Sequence, residues 1–121
     1  RVYVFVSDDT ESRQAIVVVS SVTNWDVTPT PDVYRYVATR AHNIAFGALS
    51  VYERRDAKCN VNLHHSLLAA TLDPDELVNA VAAVAAVADK IDDEVATRFG
   101  GKRSIEPGTA ARKPVGDTRV R

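Results

Sequence analysis

The stretch LDPDELVNAVAAVAAVADKIDDEVATRFGG, residues 72–101, decides the fold. Asp73 is placed to cap a helix, Pro74 fits the first helical position, and Glu76 follows the cap by three residues. Gly100-Gly101 closes the segment as a C-terminal cap pair. Between them Leu77, Val81, Val84, Ala88, Ile91 and Val95 recur at steps of four and three, one continuous apolar stripe. Outside that stripe the first half still holds little but Ala and Val: Val78, Ala80, Ala82, Ala83, Ala85, Ala86 and Val87. A helix that is apolar nearly all round is expected to be covered on more than one side. One cover is a sheet. The other is expected to be a partner: a missing N-terminal helix, a second subunit or a bound peptide. The second half, with Asp89, Lys90, Asp92, Asp93 and Glu94, is polar outside the stripe.

Upstream of this helix, residues 57–66 alternate. Cys59, Val61, Leu63 and His65 face one way, and Lys58, Asn60, Asn62 and His64 the other, which predicts a strand with one buried and one open face. Leu67 to Leu72 continues it as strand or as a turn. Arg54-Arg55-Asp56 makes a charged turn back to a strand over 44–53. Thr30 as cap, Pro31 at the first helical position and Asp32 beside it open a short helix over 31–43, with Asn43 as its stop. Residues 2–6 and 14–22 are continuously apolar and β-branched, so both are predicted as strands buried on both faces. The polar turn between them makes an antiparallel hairpin, and Asn24 to Thr30 is predicted as a loop. The order ββαββα defines an α+β fold, an antiparallel sheet with helices packed on it.

With 121 residues the chain is one domain. It contains no Met and opens at Arg1 directly into an apolar run, so an N-terminal helix is expected to be missing. Residues 102–121 carry six basic side chains against Glu106 and Asp117, net +4, while residues 1–101 carry a net −5. The last twenty residues also hold two Pro-Gly or Pro-containing breaks and little apolar periodicity. They are predicted to be a disordered basic tail beyond a folded domain over 1–101. An acidic body argues against specific nucleic-acid binding. No apolar stretch approaches the roughly 20 residues needed to cross a bilayer. Cys59 is the sole cysteine, which excludes an internal disulfide and cysteine-based structural zinc, and suits the cytoplasm.

Residues suited to chemistry are few. His64 and His65 are adjacent on a strand and so point to opposite faces, a poor arrangement for one metal ion. Cys59 falls on the predicted buried face, where a thiol is packing rather than nucleophile. Phosphate loops, nucleophile elbows and zinc-protease motifs are absent from the sequence. The carboxylate pairs Asp8/Asp9, Asp73/Asp75 and Asp92/Asp93 read as turn, cap and solvated helix face. No cofactor is expected. Trp25, expected in a loop, is the aromatic best placed for a partner contact.

From Asn43-Ile44-Ala45-Phe46-Gly47, through the hairpin to Leu72-Asp73-Pro74-Asp75-Glu76-Leu77 and the Ala-rich helix with Val87-Ala88-Asp89, the chain resembles the YbjN-like group of the type III secretion chaperone-like superfamily. An Asn and a Gly precede the hairpin, a Leu-acidic-x-x-Glu-Leu segment opens the helix, and an Ala-Asp pair falls towards its end. The match covers about half the chain. The family opens with a helix before its first strand, whereas this sequence begins with a strand. The resemblance implies a non-enzymatic chaperone that binds an extended partner segment without ATP, often as a dimer.

The sequence therefore predicts a peptide-binding module, a homodimer with a protein or peptide partner. Its expected contacts are Tyr52, Asn60, Asn62 and His64 on the sheet, and Val78, Ala82 and Ala85 on the helix. The alternatives are a small-ligand or enzymatic domain whose site is completed by upstream residues, and a purely structural dimerisation domain.

Overall fold

A computed structural model describes residues 1–103. The elements run β1 (Tyr3–Asp8), β2 (Ala15–Val27), α1 (Pro31–Ala41), β3 (Ala48–Glu53), β4 (Cys59–Leu68), α2 (Pro74–Phe99) and β5 (Lys102–Arg103). All strand pairings are antiparallel, in the order β1-β2-β4-β3, with β5 added to the far end of β2. This is the α+β architecture in ββαββα order that the sequence predicts.

The long helix forms for the expected local reasons. Asp73 accepts a hydrogen bond from the Glu76 backbone N–H at 2.8 Å, and Gly100 ends the helix at φ 74°. Thr30 caps α1 in the same way, through Val33 N–H at 3.3 Å. Helix α1 ends at Ala41 with His42 as its cap, just short of the Asn43 stop.

Both helices lie on one face of the sheet. Helix α2 packs mainly on β2 and α1 on β3. Val19, Val27, Val33, Val61, Leu63, Val84, Ile91 and Val95 form the sealed centre of the core. Burial of each such side chain contributes about 1.5–3 kcal/mol. Asn24 pins the layers together. Its Nδ2 donates to the backbone oxygen and the carboxylate of Asp92, both at 3.2 Å.

Several expectations change. Strand β1 is not buried on both faces. It is the sheet edge, and Phe5 (49 % exposed) and Val6 (71 %) reach solvent. Phe5 lies on the open face, whereas Val6, opposite Val17 on the helix side, is left uncovered at the sheet edge among the described residues. Strand β2 alternates in burial despite its unbroken Val run, and it extends through the predicted loop to Val27. Register shifts at Val22/Asn24 and Asn24/Val27 absorb extra residues and let pairing with β4 continue, so Trp25 lies in a strand, paired with Lys102, rather than in a loop. Strand β3 begins at Ala48 instead of Ile44, because residues 42–47 turn from α1 onto the sheet. Among the described residues helix α2 is covered on one side only, and Val78 is 65 % exposed. The sheet also runs past residue 101. Gly101, at φ 86°, lets β5 close on β2, where a Cβ would stand 2.8 Å from the Trp25 carbonyl oxygen. The rest of the predicted basic tail, residues 104–121, lies outside the described residues.

Candidate functional site

The register assigns every strand residue to one of two faces. Leu49, Val51, Val61, Leu63, His65, Leu67, Val17 and Val19 face the helices. On the opposite face, Tyr52 pairs with Asn60, Asn62 sits between Ser50 and Val22, and His64 sits between Ala48 and Ser20. The four sheet residues predicted for binding thus share one face, and no element among the described residues covers it.

They differ in accessibility. Tyr52 is 61 % exposed, whereas Asn60 is buried. The Asn60 Oδ1 accepts from Arg54 Nη1 at 3.3 Å. The same guanidinium reaches the carboxylates of Asp26 and Asp56. Arg54 and then Lys102 hold the Asp26 carboxyl below the usual carboxylate range. The charged β3–β4 turn therefore closes one end of the open face with an ion-paired rim. Asn62 and His64 are half-buried, and the Asn62 Oδ1 is shielded from solvent without a hydrogen-bond partner among the described residues.

The other end of this face carries residues that the sequence reading did not select. Tyr3, Phe5, Ile16, Val18 and Leu68 follow one another across β1, β2 and β4, with Phe5 opposite Val18 and Ile16 opposite Leu68. Phe5 and Leu68 are each about half exposed. They form an apolar corner beside a polar strip of Ser20, Asn62, His64 and Ser66. The signal for it was present. A strand apolar at every position marks two apolar faces, and only packing decides whether the second is core or docking surface.

Val78, Ala82 and Ala85 do not join this surface. Val78 and Ala82 lie on the side of α2 turned away from the sheet and Ala85 packs partly against the core, so the helix layer and the sheet separate all three from Tyr52 and His64. Val78 and Ala82 are exposed, and Ala85 is half-buried. The seven predicted positions therefore make two surfaces, not one.

A third apolar feature is a groove of about 400 Å³ on the helix side. It opens between Phe46 of the α1–β3 connection, His65 and Leu67 of β4, and Glu76, Asn79, Ala80 and Ala83 of α2. The Phe46 ring stands edge-on to His65, centroids 6.0 Å apart.

The remaining polar contacts are structural. Tyr36 donates its hydroxyl to Glu94, Arg40 pairs with Glu94 at 3.0 Å, and Arg98 lies over the Tyr36 and Phe99 rings, fastening α1 to the end of α2. The Tyr34 hydroxyl, bonded to Glu53, is pushed up to about 12. Burial pushes the Cys59 thiol up, the condition of an unreactive packing cysteine. Among the described residues no group of three or more His, Cys, Asp or Glu side chains is gathered to hold a metal ion. His64 and His65 lie on opposite faces of β4. No helix among the described residues is long and apolar enough to cross a membrane.

A small antiparallel sheet with helices on one face and, among the described residues, an uncovered and partly apolar second face defines a class: a two-layer α+β domain with an open sheet face. Comparison with known families makes the class specific. Residues 1–107 match the family described as "T3SS (YopN, CesT) and YbjN peptide-binding chaperone 1", and the chain belongs to that family. The match extends over the N-terminal hairpin and α1, beyond the half of the chain that carries the resemblance in sequence motifs. No curated protein and no solved structure matches the chain.

Proposed function

We propose that this domain is a non-enzymatic, cytoplasmic chaperone module that holds an extended segment of a partner protein against the uncovered face of its sheet and acts as a homodimer. The carrying observation is the apolar corner of Tyr3, Phe5, Ile16, Val18 and Leu68 beside an edge strand, β1, whose outer backbone groups have no strand partner among the described residues. An extended peptide gains main-chain hydrogen bonds from such an edge and side-chain burial from such a corner. Tyr52, Asn60, Asn62 and His64 line the path away from the corner. The outer face of α2, with Val78, Ala82 and Ala85, is the surface assigned to self-association.

An array of immobilised 15-residue peptides tests the reading. The wild-type chain is expected to retain apolar, extended sequences. Phe5→Asp, with an unchanged circular dichroism spectrum, is expected to release them. Val78→Asp is expected to halve the sedimenting mass and leave retention in place. Retention that survives Phe5→Asp together with Leu68→Asp overturns the sheet-face assignment.

A further inference from the structure

The groove beside Phe46 is separate from the open sheet face, because its β4 residues, His65 and Leu67, point to the helix side. Its composition is specific. The floor is apolar, with Leu67 below and Ala80 and Ala83 along α2. Small alanines leave the depth that larger residues on α2 fill elsewhere. The Phe46 ring, 57 % exposed and steadied edge-on by His65, forms one wall. About 400 Å³ is room for one or two large side chains.

The rim is acidic. Glu76 lines the groove, and Asp73 and Asp75 stand in the same turn of α2. Asp73 is occupied as the helix cap. Among the described residues no cation pairs with any of the three. The Asp73 charge raises the Glu76 carboxyl above its usual value, so an arriving cation relieves an existing repulsion. The wider body, residues 1–101, is net −5. An apolar hole with one carboxylate at its edge fits an apolar side chain that has a positive charge close by in sequence.

We propose that this groove is a second subsite for the partner protein. It takes a leucine-like anchor followed within one helical or extended step by a lysine or arginine that meets Glu76. The proposal rests on the peptide-binding reading above and adds to it a charge preference and a second point of attachment.

The test uses the whole chain and three fluorescein-labelled 15-residue probes in a Gly-Ser background. One carries Leu-Ser-Ser-Lys at its centre, one Leu-Ser-Ser-Glu and one Ser-Ser-Ser-Lys. Fluorescence anisotropy is expected to rank the first tightest. Replacing Leu by Ser is expected to weaken binding at least about tenfold, and replacing Lys by Glu about fivefold. Glu76→Lys is expected to invert the Lys/Glu preference, an effect that mere loss of stability does not produce. Ala83→Leu, which fills the groove, is expected to abolish binding of all three probes with the thermal transition retained. An unchanged preference in Glu76→Lys overturns the proposal, as does binding that survives Ala83→Leu. So does wild-type chain that binds no probe, or a dimer that Ala83→Leu dissociates without affecting the probes. Binding lost in Phe5→Asp but intact in both groove variants overturns this subsite and leaves the sheet-face reading standing. Binding lost only in the groove variants does the reverse.

Discussion

On the helix side of the sheet Val19, Val61 and Leu63 are sealed from solvent, whereas on the opposite side Phe5 and Leu68 are about half exposed and Val18, drawn from the same neighbourhood of strands, is only half-buried. The two sets are chemically alike and nearly adjacent in sequence. What separates them is the pleat, which sends Val18 and Val19 to opposite faces, and the placement of both helices on one side. Apolar character therefore serves two ends within one sheet. On one face it contributes stability, and on the other it leaves apolar surface exposed.

The contrast is open to measurement, and the largest effect is expected on the sealed face. Leu63→Ala should cost about 2–5 kcal/mol in chemical denaturation, because it removes buried methyl groups and leaves a cavity in the core. Phe5→Ala, larger in volume lost but half exposed, should cost well under about 1 kcal/mol. Similar losses for the two would break the comparison. An effect between these two is expected at the start of the covering layer. Asp73→Ala removes the side-chain cap of α2 and should cost about 1 kcal/mol, read as a lower denaturation midpoint with unchanged slope.

The smallest effect sharpens the covered side by pH. The Tyr36 hydroxyl, and then Arg40, hold the Glu94 carboxyl below its ordinary 4.5. A carboxyl depressed on folding adds stability above its unfolded value and loses it as pH falls through the folded one. Glu94→Gln should therefore flatten the fall in melting temperature below about pH 4.5, whereas Phe5→Ala should keep the wild-type acid response. Glu94 is partly exposed, so solvent screening keeps the difference small.

Much of the fold is legible in the order of residues alone. Both helix starts were written in adjacent residues, Thr30-Pro31 and Asp73-Pro74, since a cap is a contact over three or four positions. The alternation of Cys59 to His65 assigned the faces of β4 correctly, because strand period is a property of the backbone. The site was less legible. Unbroken apolar runs at 2–6 and 16–19 look the same whether the second face is core or surface, so residue order does not single out Phe5 or Val18. The bulges that carry β2 through Asn24 and Asp26 have no local apolar signal. They arise from pairing with β4 and β5, far away in the chain.

Residue order alone thus determined the α+β class, the caps, the long helix with its core stripe, and a resemblance to the chaperone family to which the chain belongs. These follow from interactions among neighbours along the chain. Only the tertiary structure decided that Tyr52, Asn60, Asn62 and His64 stand back to back with Val78, Ala82 and Ala85 rather than beside them. It also decided that Phe46 meets Ala83 across a groove. Such relations depend on which face of the sheet both helices choose, and that is decided by long-range packing.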